Sequence, residues 1–381
     1  MPVKNSLISK RFLRYIHCES DSAVDIREIA KHANVSTATV SRTINRNPSV
    51  DPKLAKRVWK VVDQLGYYPN IQARGLASGK SRILGLIVSE LTNPFFPEIV
   101  HSFEALAVSL GYEMLLTSTV YDPRRMESSV RRMIERRVQG VAILTFGFEE
   151  ALIADLRHRK VPLVFVDVGP HVPGVSNIRI NYMSGIRQAV QHLAALRHRR
   201  IAFVTGPPHL KSALARKSAF EQSMREIGLE AAPELIVVGD HTMAGGMRAL
   251  VSVAGLGNPP TAVLCSNDMT AIGVMREAYE YDMSVPDQLS VVGFDDIRIS
   301  EFMIPPLTTV RMSQTQLAKL AFEALVHALE KTASKGDAQE YILDTSLILR
   351  QSTALARPRY GSAGVRKRRS ANSRTRSAGR V

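Results

Sequence analysis

The sequence predicts two unlike parts: an all-α helix-turn-helix headpiece, and an α/β core of two doubly wound parallel-sheet subdomains. Three observations lead there. Residues 24–69 hold short, capped, amphipathic segments. From Ile83 onward, continuous apolar runs of strand length alternate with helical periodicity, which means parallel sheets covered on both faces. The charge is also unevenly placed. The 381 residues carry a net +15: 14 basic and 6 acidic residues in 1–80, 9 basic and no acidic in 357–381, and 27 basic against 29 acidic between.

An excess confined to the ends points to an anion-binding end, most often nucleic acid; basic ends that merely aid solubility stay open on charge alone. With 45% hydrophobic residues the chain can bury real cores, which excludes wholesale disorder. Two cysteines, Cys18 and Cys265, cannot make a disulfide scaffold or a zinc cluster and fit a reducing cytosol. No apolar run approaches the ~20 residues that span a bilayer, and the N-terminus lacks the pattern of a secretory signal. The expected location is the cytoplasm.

Residues 1–23 read as a flexible extension with one weak amphipathic patch. Asp25, followed three residues later by Glu28, caps a first helix carrying Ile26, Ile29, Ala30 and Ala33. Asn34 tolerates the left-handed backbone and ends it in a tight turn. Ser36 caps a second helix over 37–45, with Val40 and Ile44 inward. Asp51-Pro52 caps a third, with Leu54, Val58, Val61, Val62 and Leu65 inward, and Gly66 ends it. Two short helices across a four-residue turn, then a third, make a helix-turn-helix unit or an ordinary small bundle; the local charge favours the former. Residues 70–81 read as a linker of marginal helix propensity that orders when bound.

In the core, strands are expected at 83–89, 114–119, 141–145, 163–166, 201–205, 235–238, 262–266 and 290–294. Helices are expected at 97–110, 124–136, 182–196 and 269–281. About eight such units suit two doubly wound subdomains better than one sheet, although a (β/α)8 barrel also fits the count. Residues 357–381, rich in Gly, Ser and Arg, read as a disordered basic tail.

The run Asp25-Ile-Arg-Glu-Ile-Ala-Lys-His-Ala-Asn-Val-Ser-Thr-Ala-Thr-Val-Ser-Arg42 closely resembles the headpiece of LacI/GalR-type (lactose-repressor-like) transcription regulators. Further matches follow in order: Gly66-Tyr-Tyr-Pro-Asn70, Ala73-Arg-Gly-Leu76, Asn93-Pro-Phe-Phe96, Ser266-Asn-Asp268, Val291-Val-Gly-Phe-Asp-Asp296 and Pro305-Pro-Leu-Thr-Thr309. The resemblance spans about residues 24–353. It implies a headpiece over 24–69, a hinge helix over 70–81, and a periplasmic-binding-protein-like core over 82–356. That core would cross three times between one subdomain (about 82–180 and 311–340) and another (about 181–310 and 341–356).

It also implies a sequence-specific DNA-binding regulator, most simply a repressor, acting as a homodimer on a pseudo-palindromic double-stranded operator. The second helix would lie in the major groove. Thr37, Ala38 and Arg42 would face base edges, where an arginine can fork onto guanine. Ser36, Thr39, Ser41 and Asn45 are candidates for phosphate contacts or caps. Ala73 and Leu76 belong to the hinge, and Leu76 matches the family's leucine that wedges into the minor groove.

The same resemblance implies a small-molecule effector, a sugar or sugar acid, that closes or re-angles the core and thereby moves the hinges. Polar residues fall at the ends of expected strands, where open α/β sheets present ligand sites: Asp167, Asn267, Asp268 and Asp295; Ser89 is a further effector-binding candidate. Arg216 matches the family's ligand-binding arginine. Phe95 and Phe96 can cover a ring face, and His241 joins the candidates. Carboxylates accept from hydroxyls, and arginine forks onto hydroxyl pairs. Asp268 and Asp296 read more plainly as caps or solvated loop residues, and His198, amid arginines, as surface. Val168, His241 and Ala219 depart from common family residues, which leaves the effector open to a purine or a protein co-regulator.

No Gly-x-Ser-x-Gly elbow, Walker loop, Gly-x-Gly-x-x-Gly or His-Glu-x-x-His occurs, and the ten histidines show no metal-ligand spacing. No enzyme activity, cofactor or metal is expected. The competing reading is a sugar-binding transport or sensor protein with the same core, which would carry a signal peptide and no headpiece.

Overall fold

A computed structural model describes residues 24–45, 47–68, 81–144, 150–167, 175–330 and 339–357. The chain divides between Ser81 and Arg82 into two compact units.

The first unit holds α1 (Ile26–Ala33), α2 (Thr37–Ile44) and α3 (Pro52–Leu65). The Asp25 carboxylate accepts from the amides of Arg27 and Glu28 at 2.7 and 2.9 Å. Asn34 turns left-handed at φ 51°, and Gly66 does so after α3 at φ 60°. The Ser36 hydroxyl accepts from Thr39 N at 3.1 Å, and Asp51 caps α3. Ile29, Ala33, Val40, Val58 and Val62 form the buried centre. Arg57 on α3 donates to the Asn34 carbonyl at 3.1 Å, bracing the tight turn.

The second unit contains β1 (Ile83–Val88), α4 (Phe95–Ser109), β2 (Glu113–Ser118), α5 (Pro123–Glu135), β3 (Gly140–Leu144), α6 (Glu150–His158), β4 (Leu163–Val166) and β5 (Val175–Asn181). Then come α7 (Tyr182–Ala195), β6 (Ile201–Val204), α8 (Lys211–Glu226), β7 (Ile236–Val237), α9 (Met243–Ala254), β8 (Ala262–Cys265), α10 (Asp268–Glu280) and β9 (Ser290–Asp295). It closes with β10 (Thr308–Arg311), α11 (Gln314–Glu330), β11 (Glu340–Asp344) and β12 (Ser346–Ile348).

Two six-stranded sheets result, in the orders β11-β5-β4-β3-β1-β2 and β12-β10-β9-β8-β6-β7. All pairings are parallel except β10 with β12. Two doubly wound sheets are therefore present, and the barrel alternative falls.

The chain leaves the first sheet after Asn181, returns to it after Arg311, and leaves again at Thr345. The third crossover, expected at about 340–341, is thus corrected. Glu340–Asp344 pairs with Asn177–Asn181 and belongs to the first sheet. β5, β10, β11 and β12 are absent from the sequence expectation because none is a continuous apolar run. β5 reads Val-Ser-Asn-Ile-Arg-Ile-Asn, and β10 is Thr-Thr-Val-Arg; their partners, not their composition, make them strands.

α4 packs on α11, with Phe103 and Phe322 edge-on at 5.5 Å. Met126, Val130 and Met133 of α5 pack with Ile87, Val141 and Ile143 in a separate cluster. In the second subdomain Phe203 stacks on Phe220 at 4.8 Å. α9 and α10 approach so closely that a Cβ on Gly246 would overlap the Thr270 carbonyl, and one on Gly273 the Met243 carbonyl.

Three polar residues differ from expectation. Asp296 is not a solvated loop residue: its nearly buried carboxylate pairs with Arg311 at 2.6 Å and Arg350 at 2.7 Å. His198 is buried, bonded to Thr261, Ser290 and the Ala354 carbonyl. Asp268 accepts from the Thr309 hydroxyl at 2.6 Å and from Ile297 N at 2.8 Å; it ties three segments together rather than facing a ligand.

Candidate functional site

In the headpiece, α2 buries Val40, Thr43 and Ile44 on one side. At about 100° per residue the other side carries Thr37, Ala38, Ser41, Arg42 and Asn45. Thr37, Ala38, Arg42 and Asn45 are exposed. Ser36 is the N-cap, and its hydroxyl also contacts Thr39 Oγ1 at 2.9 Å. The outward face thus offers one guanidinium, hydroxyls, an amide and a methyl group, the groups used on base edges and phosphates. Ala73 and Leu76 lie outside the described residues.

In the core, a cleft opens at the carboxyl ends of both sheets, where parallel sheets place ligand sites. It spans about 590 Å3, counting the part open to solvent, which is within the range of small-molecule sites. Phe95, Phe96, Asp167, Arg216, His241, Asn267 and Asp295 all line it, so most of the candidates converge. Ser89 does not: its buried hydroxyl donates to the Leu144 carbonyl at 3.2 Å, behind the wall. Tyr121, Tyr182, Asn93 and Ser212 also line the cleft and were not expected. Asn93 opens the Asn93-Pro-Phe-Phe96 motif and Tyr121 follows the expected strand 114–119 by two residues, whereas Tyr182 and Ser212 sit in the first turns of helices, where no strand-end signal falls.

Arg216 anchors the floor. Its guanidinium lies over the rings of Phe294 and Tyr182, 4.3 and 4.9 Å from their centroids, each worth about 2 kcal/mol when desolvated. Nη1 donates to the Ser266 carbonyl at 2.6 Å. Nη2 is 3.8 Å from Asp295 Oδ1, too far for a hydrogen bond. Asn267 caps α10 through Thr270 N and donates to the His241 carbonyl. On the opposite wall, Tyr182 Oη donates to Asp167 Oδ2 at 2.7 Å.

Among the described residues, three residues that line the cleft carry a buried polar atom with no hydrogen-bond partner: Arg216 Nε, His241 Nε2 and Asp295 Oδ1. A buried unsatisfied group costs about 1–3 kcal/mol. Such groups gathered around one cleft are what a polar ligand satisfies. Tyr121, Asp167, His241 and Asp295 also hold left-handed φ values of 57°, 79°, 63° and 110°, a conformation held by the surroundings and concentrated at binding sites.

The electrostatics agree. Burial pushes Asp295 up to about 7 against the pull of Arg216. Burial likewise raises Asp167 to about 6, opposed by the Tyr182 hydrogen bond and Arg216. His241 falls to about 3, through burial and then the neighbouring Arg216, so it is a neutral ring. The floor therefore presents acceptors and one shielded cation. Among the described residues no group of three or more His, Cys, Asp or Glu is arranged to hold a metal ion.

A helix-turn-helix unit followed by a two-subdomain core with a polar cleft is the arrangement of a DNA-binding transcription regulator. The profile of bacterial regulatory proteins of the lacI family matches residues 25–70, and that of the periplasmic binding protein-like domain matches 190–353. The HTH-type transcriptional repressor PurR of Aliivibrio salmonicida is 31% identical over 306 residues, 80% of this chain and 92% of that protein. The ribose operon repressor of Escherichia coli K12 is 32% identical over 305 residues, again 80% and 92%. The lac repressor dimer bound to operator and the anti-inducer ONPF superposes with a TM-score of 0.77 at 29% identity, covering 87% of this chain and 100% of that one. The chain belongs to the LacI family of bacterial regulatory proteins.

Proposed function

We propose that this regulator represses transcription as a homodimer on a pseudo-palindromic operator, under allosteric control by a sugar or sugar acid bound in the core cleft. The observation that carries the effector reading is the set of unsatisfied buried atoms around Asp295 and Arg216. A polyhydroxyl ligand donates to Asp167 and Asp295 and accepts from Arg216 and Asn267, while Phe95 and Phe96 cover its ring. Above pH 7, where Asp167 and Asp295 are both ionised against one arginine, charge favours a neutral sugar. Thr37, Ala38 and Arg42 read bases; Ser36, Thr39, Ser41 and Asn45 contact phosphates or cap; Ala73 and Leu76 bind DNA from the hinge, Leu76 as the minor-groove wedge. The protein works in the cytoplasm, at the nucleoid. The dimer reading is supported by the solved lac repressor dimer.

A thermal-shift panel of sugars, sugar acids and purine bases tests the effector, since a ligand that binds only the native state raises its melting temperature. A purine as the sole stabiliser overturns the sugar reading. For DNA, Leu76→Ala is expected to leave the core folded and to lose most operator affinity, the loss of the wedge costing about a few kcal/mol. A salt-controlled titration with unchanged affinity rejects that role.

A further inference from the structure

The two cleft aspartates occupy matching places in the two sheets. Asp167 follows β4 of the first sheet, and Asp295 ends β9 of the second. Each is held from the other subdomain, and in each case by the first residue of the helix that follows a crossover. Tyr182 opens α7, which packs on α8, β12 and β10 of the second subdomain. Its hydroxyl reaches back to Asp167 at 2.7 Å. Gln314 opens α11, which packs on α4 and on β3, β4 and β5 of the first subdomain. Its buried Nε2 reaches back to the Asp295 carbonyl at 2.8 Å. A rotation of one subdomain against the other about these crossovers acts on both bonds. The Tyr182 ring also carries the Arg216 guanidinium at 4.9 Å and lies 5.8 Å from Phe294, so a shift of Tyr182 moves the floor of the cleft.

We propose that Tyr182 and Gln314 are paired positioning residues, reciprocal locks that set the angle between the two core subdomains and couple it to the effector through Asp167 and Asp295. The proposal rests on the reading of the cleft as the effector site. A ligand that bonds the Asp167 carboxylate competes with the Tyr182 hydroxyl for the same group, and one that bonds Asp295 Oδ1 pulls on the residue whose main-chain carbonyl holds Gln314, so occupancy and subdomain angle change together. Burial holds Asp167 near 6, opposed by the Tyr182 hydrogen bond, so loss of that bond also loosens the carboxylate's hold on its charge.

The test uses the full-length, ligand-free protein with Tyr182→Phe, which keeps the ring and removes only the donor, and Gln314→Leu, which keeps the volume. Amide hydrogen exchange is followed at 163–167 and 312–317, and affinity is measured for an operator selected from random DNA by the wild type. Tyr182→Phe is expected to raise exchange at the distant 312–317 as well as at 163–167, and Gln314→Leu the converse. Both variants should shift operator affinity in the same direction by at least fivefold. Exchange raised only beside the substituted residue, or operator affinity unchanged in both, overturns the locks. Neither readout needs an effector. A wild type stabilised by nothing in the panel sinks the effector reading while exchange still decides the locks, and if no operator is selected, exchange alone decides.

Discussion

Asp295 keeps its proton at a pH where most carboxyls have lost it, because burial outweighs the pull of an arginine 3.8 Å away. The unfolded chain ionises this group near 4. Between about pH 4 and 7 the unfolded state thus binds fewer protons, and this residue's contribution to ligand-free stability falls as the pH rises through that interval. A neutral sugar that donates to the ionised carboxylate reverses the trend. Its affinity is expected to rise as the pH passes 7, whereas a sugar acid would bind more weakly. Asp295→Asn should flatten the profile and weaken binding by about 1.5–3 kcal/mol. Calorimetry from pH 5.5 to 8.5 distinguishes these outcomes.

Among the elements, α9 and α10 show how tightly the second subdomain is packed. Gly246 and Gly273 let the two helices touch backbone to backbone, so neither glycine serves a turn. Gly273→Ala is expected to destabilise the core by about 1–3 kcal/mol, the usual cost of overpacking, seen as a lower midpoint in urea with the first unit unaffected. An unchanged midpoint would mean the helices can separate freely. The headpiece elements were legible because their signals are local: Asp25, Asn34, Ser36, Asp51 and Gly66 act on neighbouring residues. β5 and β10 were not legible, since each becomes a strand only through partners far along the chain.

For the whole molecule, the distribution of charge still matters. Residues 357–381 carry nine basic side chains and no acidic one. If the tail touches phosphates, log affinity falls with log salt by about 0.9 per phosphate neutralised. A chain ending at Ala356 is then expected to show a shallower salt slope with the same sequence preference. Equal slopes in titrations from low to high salt would make the tail a bystander to DNA binding.

The sequence by itself determined the headpiece, the alternation of strand and helix, and the candidates at strand ends, because caps, periodicity and residue chemistry are local properties. Only the tertiary structure decided that Asp167, Arg216, His241, Asn267 and Asp295 share one cleft, and that Ser89 stands behind it. It also decided that Asp296 and Asp268 brace the scaffold, and that Tyr182 and Gln314 reach back across crossovers. Those outcomes depend on burial and on partners 15 to 55 residues away, and a hydrogen bond across two subdomains leaves no pattern in the residues that make it.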